Sequence, residues 1–204
     1  MEQTLSVAHA LFAERGYAAV TMEEIAAAVG VTKPLLYNYF GNKEQLYIAC
    51  MERAGESLTE TVSAAVAGSA DPAEALRAGV RAFFAFIDSD RAAWAVLFDE
   101  TLPQNGEVAE RVASYRGRIL DLVSGSMLAQ LPESRREAAQ IEVEALSAAL
   151  LGAAEALARW WLRGKALSAE DAADLLISTI EPGLRARSTP SRASQNPKKG
   201  TETK

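Results

Sequence analysis

Apolar residues recur at three- and four-residue spacings along almost the whole chain, and nowhere do they alternate singly over a strand's length. Leu5, Ala8, Leu11 and Phe12 mark a first helix from about Thr4 to Arg15, with Gly16 as its left-handed cap and Tyr17 folded back on it. Ile25 and Val29 line a second helix; Leu36, Tyr39 and Phe40 form the inward set of a third. A longer stripe, Leu46, Cys50, Ala54, Leu58 and Val62, predicts a fourth helix reaching about Ala67. Leu76, Val80, Phe83, Phe84 and Ile87 predict a fifth, and Trp94, Leu97 and Phe98 a short sixth. Val108, Val112, Tyr115, Ile119, Leu122 and Val123 place a seventh from about Glu107 to Leu131. An eighth runs from Pro132 to Arg163, and a ninth opens at Ser168. The predicted fold class is all-α, about nine helices, without internal repeats.

The helix boundaries are written in capping residues. Thr21 with Glu24 three positions on is a capping box, and Gly30 supplies the positive φ of a sharp corner. Thr32 is placed to cap the next helix, whose first turn accepts Pro34 because the missing N–H has no partner there anyway. Asn42 with Gln45, Asp71 with Glu74, and Ser168 with Asp171 open later helices, while Gly68, Asp88-Ser89-Asp90 and Gly164 close others. Between Thr21 and Phe40 these signals define two short helices joined by a tight turn, with Val31 plugging the turn and Ala26 allowing close approach. That is a helix-turn-helix, whose second helix enters the DNA major groove. Lys33, Pro34, Tyr37 and Asn38 face outward on it, with Leu35 at the border. Asn38 suits adenine, Lys33 suits guanine, and Leu35 or Pro34 suits a thymine methyl.

Leu11-Phe12-Ala13-Glu14-Arg15-Gly16-Tyr17, the run Thr21 to Val31, and Leu36-Tyr37-Asn38-Tyr39-Phe40-Gly41-Asn42-Lys43-Glu44-Gln45-Leu46 resemble the DNA-binding head of the TetR family of bacterial transcription regulators. The resemblance covers about residues 5–47; beyond it only length and helical pattern are similar. It implies that Thr32, Tyr37 and Lys43 touch the phosphate backbone, and that a second domain holds a small-molecule effector. The expected organisation is a three-helix helix-turn-helix head (1–46), a helical ligand-binding and dimerisation domain (47–187) and a disordered tail (188–204). The implied function is a ligand-responsive regulator, a repressor on a palindromic operator. Alternatives are a ligand-independent regulator or activator, and an all-α carrier of apolar ligands.

Charge complicates that picture. The segment 1–46 holds three basic and five acidic groups, although DNA-binding heads are usually basic; only 188–204 is net positive. Glu23 and Glu24 sit in a first helical turn, where they complement the helix dipole, and few ionic phosphate contacts are expected. The single cysteine, Cys50, suits a reducing cytoplasm and a buried apolar position, a redox sensor being the alternative reading. No signal peptide or membrane span is expected. The lone His9 falls on the outer face of the first helix and is expected to be solvated. No phosphate loop, metal-ligand spacing or nucleophile–base arrangement is found, so no catalytic site, metal or cofactor is expected.

Two features exceed an ordinary core. Phe83, Phe86, Trp94, Phe98 and Tyr115, with Trp160 on the eighth helix, are candidates to line a pocket for an apolar or aromatic effector. Ala145, Ala149, Gly152, Ala153 and Ala156 form a stripe of small residues on the eighth helix. With Leu175, Leu176 and Ile180 on the ninth, it predicts a homodimer through helices 8 and 9. A two-fold dimer would set two recognition helices about 34–36 Å, or a multiple, apart on double-stranded DNA.

Overall fold

The computed structural model describes residues 2–69, 71–129, 131–164 and 166–188. Among them nine helices and no strand are found: α1 (Glu2–Ala19), α2 (Met22–Val29), α3 (Lys33–Phe40), α4 (Lys43–Ala67), α5 (Pro72–Ser89), α6 (Arg91–Leu97), α7 (Glu107–Ala129), α8 (Glu133–Leu162) and α9 (Ala169–Ser188). The tail expected at 188–204 lies outside the described residues apart from Ser188.

Local chemistry accounts for most boundaries. Thr21 Oγ1 accepts from Glu24 N at 3.3 Å while Glu24 accepts from Thr21 N at 2.9 Å, which closes the capping box of α2. Arg15 also holds Glu24 at 2.8 Å, and together these contacts pull the Glu24 carboxyl down to about 2. Gly30 ends α2 at φ 80°, and Asn42 and Asp71 accept from Gln45 N and Glu74 N at 2.8 Å each. Two expectations change. Helix α1 breaks at Gly16 as expected, but at φ 76°, ψ 162° rather than in the left-handed helical region, and a second helical piece runs on to Ala19; glycine adopts that conformation without strain. The Thr32 hydroxyl makes no capping bond on α3; the helix starts instead with the Leu36 N–H on the Thr32 carbonyl.

Packing then orders the helices. α1 lies against α4 and α6, and α2 and α3 close its end. Phe12, Ile25, Leu36, Leu46, Tyr47 and Met51 are fully buried there, so α4 is shared between the head and the rest of the bundle. α5 packs on α4 and α9, and α7 on α8, with Phe84, Ile87 and Val96 fully buried in the second layer. Cys50 is completely buried, its Sγ 3.7 Å from the Leu5 carbonyl, and burial pushes its thiol up to about 12, so it sits as an apolar residue and not as a thiolate. His9 is not solvated. The α1–α6 contact half-buries it beside Asp90, Arg53 and the Ala92 backbone, leaving Nε2 buried without a hydrogen-bond partner. Helical periodicity put His9 opposite the α1 stripe, but α6 packs on that opposite side too.

The outer side of α8 remains exposed. Ile141 (82% accessible) and Trp160 (44%) flank exposed Ala145, Ala149, Gly152 and Ala156, and Leu175 of α9 is 49% accessible. Leu176, expected on the same face, turns into the core instead, one residue being a 100° step around the helix.

Candidate nucleic-acid interface and ligand cavity

Helix α3 has one buried side chain, Leu36, at 1% accessibility, with Phe40 half-buried a turn later. Thr32, Lys33, Pro34, Leu35, Tyr37 and Asn38, six of the seven residues picked for DNA contact, are all exposed, whereas Lys43 is half-buried at the start of α4. Tyr39, expected to face inward, is instead 62% accessible. An eight-residue helix resting on α2 and on the start of α4 buries a stripe one residue wide; Tyr39 lies about 60° off Leu36 and misses it. Tyr39 therefore joins the exposed surface, and its phenol is an additional polar group there.

The three basic groups of the head are all engaged internally. Lys33 is ion-paired with Glu23 and lies 5.7 Å from the Tyr37 ring centroid. The ion pair holds the Glu23 carboxyl below its usual value and raises the Lys33 ammonium. Arg15 is held by Glu24 and donates to the Ala19 carbonyl at 3.1 Å. Lys43, the first residue of α4, donates to the carbonyls of Tyr17 at 2.9 Å and Val20 at 3.0 Å, with its ammonium 4.3 Å from the Tyr17 ring. Desolvation there lowers its pKa. Lys43 thus closes the carbonyl end of α1, a geometry unlike that of a side chain reaching out to a phosphate.

Between α4, α5, α7 and α8 lies a cavity of 1170 Å³, lined chiefly by aliphatic side chains such as Leu58, Val62, Ile119, Val123 and Leu146. Ligand sites are typically about 300–1,000 Å³, so the volume accepts a molecule of drug size or larger. Of the aromatic candidates, Phe83, Phe98 and Tyr115 line it. Tyr115 donates to the Gly55 carbonyl of α4 at 3.0 Å, which fixes its ring against that helix. Phe86, Trp94 and Trp160 do not line the cavity. Phe86 is buried away from it, and Trp94 stands behind the wall, stacked on Phe98 at 3.9 Å and edge-on to Phe83 at 5.9 Å. Trp160 points out from α8. Aromatic clustering in the sequence located the right helices but not which side of each faces the void. Sequence reasoning also missed the aliphatic walls from α4, α7 and α8, although their apolar stripes were visible. Arg116, Arg135, Glu142, Glu155 and Glu181 put charged groups on the lining: Arg116 pairs with Glu155 at 3.4 Å and lies over the Phe98 ring at 5.6 Å, and Glu181 at the α9 side pairs with Arg77 at 2.6 Å. No group of three or more acidic, cysteine or histidine residues among the described residues could hold a metal, and no described helix is long and apolar enough to cross a membrane.

This pairing of a two-helix reading head with an apolar cavity agrees with known families. The model for bacterial regulatory proteins of the tetR family matches residues 5–50, and that for the tetracyclin repressor-like C-terminal domain matches residues 72–181. The chain belongs to the TetR family. Among its relatives, the transcriptional activator FasR of Mycolicibacterium smegmatis is 36% identical over 126 residues, 60% of this chain and 58% of FasR. The transcriptional repressor KstR2 of Rhodococcus jostii is 27% identical over 184 residues, 89% of each chain. Several curated relatives are spanned over only about half their length, as with the BetI regulator of Rhizobium meliloti (53%). Of solved structures, a TetR-like regulator from Rhodococcus sp. RHA1 superposes with TM-score 0.73 at 31% identity, over 90% of this TetR-family chain and 94% of the other. AibR in complex with isovaleryl coenzyme A and operator DNA superposes with TM-score 0.68 at 26% identity, over 87% and 96% of the two chains.

Proposed function

We propose that the protein is a cytoplasmic, ligand-responsive transcription regulator that binds a palindromic operator as a homodimer and is released by a small apolar or aromatic effector. The observation that carries this reading is the exposed set Thr32 to Leu35, Tyr37 and Asn38, on a helix anchored by Leu36 and preceded by the fixed turn at Gly30. Hydroxyl, amide, phenol and ammonium groups on such a rod suit base edges and backbone, and Tyr39 adds a further phenol. The division of labour follows the fold: residues 1–46 read DNA, and 47–187 bind effector and partner.

Dimerisation is supported by the exposed α8 face. A surface of small residues flanked by Ile141, Trp160 and Leu175 fits a second copy packed two-fold against it. Effector binding is supported by the cavity, whose walls include Leu58 and Val62 of α4. That helix is 25 residues, about 37 Å, long, and its first turn adjoins the recognition helix. An effector that fits better when α4 tilts would mis-space the two recognition helices. Couplings of about 1–3 kcal/mol, five- to 150-fold in DNA affinity, are usual for such switches. The FasR and KstR2 names pair an activator with a repressor, and the operator's position relative to the promoter sets that sign. We assign repression here, with release as the induced step.

The test is selection of bound duplexes from random sequence, followed by titration of Tyr37→Ala and Asn38→Ala variants and a screen for compounds that release the DNA. Loss of affinity in both variants, a palindromic consensus and compound-induced release are expected. Tight binding that neither variant weakens would refute the reading.

A further inference from the structure

We infer that the backbone of Tyr17 is the junction through which occupancy of the cavity reaches the recognition helix, with Asp99 as its positioning residue on the effector side. The inference rests on the cavity being the effector site. Three links carry it. Leu97 and Phe98 line the cavity at the end of α6, and the next residue, Asp99, accepts the Tyr17 N–H at 2.6 Å across the boundary between effector domain and head. The other carboxylate oxygen accepts from Thr101 N at 2.7 Å and Thr101 Oγ1 at 2.6 Å, so the loop after α6 and the α1 kink share one anion. The carbonyl of the same Tyr17 accepts from Lys43, which begins α4 three residues after the recognition helix ends.

The kink at Gly16 makes this geometry possible. Its φ of 76° and ψ of 162° together turn the Tyr17 N–H away from the helix ladder of α1 and toward Asp99. The approach is close: a Cβ on Gly16 would lie 3.0 Å from Thr101 Oγ1. The ring of Tyr17 is fixed as well, 5.0 Å edge-on from Tyr47, whose phenol donates to the Val96 carbonyl of α6 at 2.5 Å. Displacing Phe98 to admit a ligand therefore moves Asp99, and Asp99 and Lys43 grip the two peptide planes that meet at the Tyr17 Cα, one by its N–H and the other by its carbonyl. No ion pair joins Asp99 to Lys43 among the described residues; the residue they share is Tyr17, and the Tyr47–Val96 bond ties α4 to α6 alongside it.

The experiment uses the full chain and its selected operator. Palmitate, naphthalene-1-sulfonate and isovaleryl coenzyme A are tested as cavity probes, and the tightest binder is carried forward. Operator affinity is measured with and without that probe for wild type, Asp99→Ala, the milder Asp99→Asn, Lys43→Met and Thr101→Val. The readout is the ratio of the two affinities, because a residue with only a structural role weakens both and leaves the ratio alone. Wild type is expected to lose DNA affinity on binding the probe by a factor in the usual range of about five to 150. In Asp99→Ala that ratio falls to within about twofold of one, Asp99→Asn is intermediate, and Thr101→Val, which keeps the bond to Tyr17, responds as wild type. The losses of probe-free affinity in Asp99→Ala and Lys43→Met are expected to combine less than multiplicatively, the mark of a shared contact. If wild type responds and both Asp99 variants keep the full ratio, or if the losses multiply, the junction is refuted while the regulator reading stands. If none of the probes alters operator affinity in wild type, the effector-site reading fails and the junction falls with it.

Discussion

Replacing Gly55 by alanine is expected to destabilise the protein, against the usual direction for a glycine in mid-helix. On propensity alone the change gains about 1 kcal/mol. In α4, however, a Cβ at this position collides with the Tyr115 ring, within 2.8 Å of its hydroxyl and nearer still to two ring carbons. The ring must move, which breaks the 3.0 Å hydrogen bond to the Gly55 carbonyl and loses about 1 kcal/mol. Forced repacking of a filled site costs about 1–3 kcal/mol more. The hydrogen bond roughly cancels the propensity gain, so the net loss is about 1–3 kcal/mol, at about 2–4 °C per kcal/mol for a chain of this size. The space open to the displaced ring is the cavity, so effector affinity falls as well. Gly117→Ala in α7 is the matched control, because nothing lies within 4 Å of its added Cβ. Thermal unfolding followed by circular dichroism at one fixed protein concentration reads both variants. Should Gly55→Ala raise the melting temperature as Gly117→Ala does, Tyr115 does not pack over the α4 backbone, and the α4 wall of the cavity is wrongly drawn.

Two further outcomes follow from the head. Burial disfavours the His9 imidazolium, outweighing the favourable field of Asp90, while Arg53 adds to the shift, so the folded state binds that proton less tightly than the unfolded chain at its ordinary 6.5. The unfolded state gains protons first as pH drops, so stability present above 6.5 is lost as the pH falls through the folded value; His9→Leu should flatten that slope in melting curves taken across the window. Glu23→Gln frees Lys33 from its ion pair. Operator binding should tighten, and the slope of log affinity against log salt should steepen by about 0.9, one added phosphate contact; an unchanged slope in fluorescence anisotropy titrations would show that Lys33 never reaches the backbone.

The amino-acid order by itself determined most features governed by contacts within four residues, the missing hydroxyl cap of Thr32 being a local exception. Thr21 and Glu24, Asn42 and Gln45, and Asp71 and Glu74 bond as their spacing requires, so the starts of the described helices were legible to within a residue or two, α1 included, which begins at Glu2 against an expected Thr4. The helix-turn-helix and the family it implies were legible for the same reason, since their signature is a run of local caps and apolar positions. Tertiary structure decided how each helix is rotated and what covers its second side. Tyr39 is exposed because α3 buries so narrow a stripe, and His9 is half-buried because α6 packs on a side that α1's own periodicity left open. Phe83 reaches the cavity while Phe86 does not, and Lys43 spends its ammonium on carbonyls 23 and 26 residues earlier in the chain. Periodicity fixes the relative angle of side chains on one helix, but a void or a partly buried ammonium is made by several helices at once. Only their packing in three dimensions specifies it.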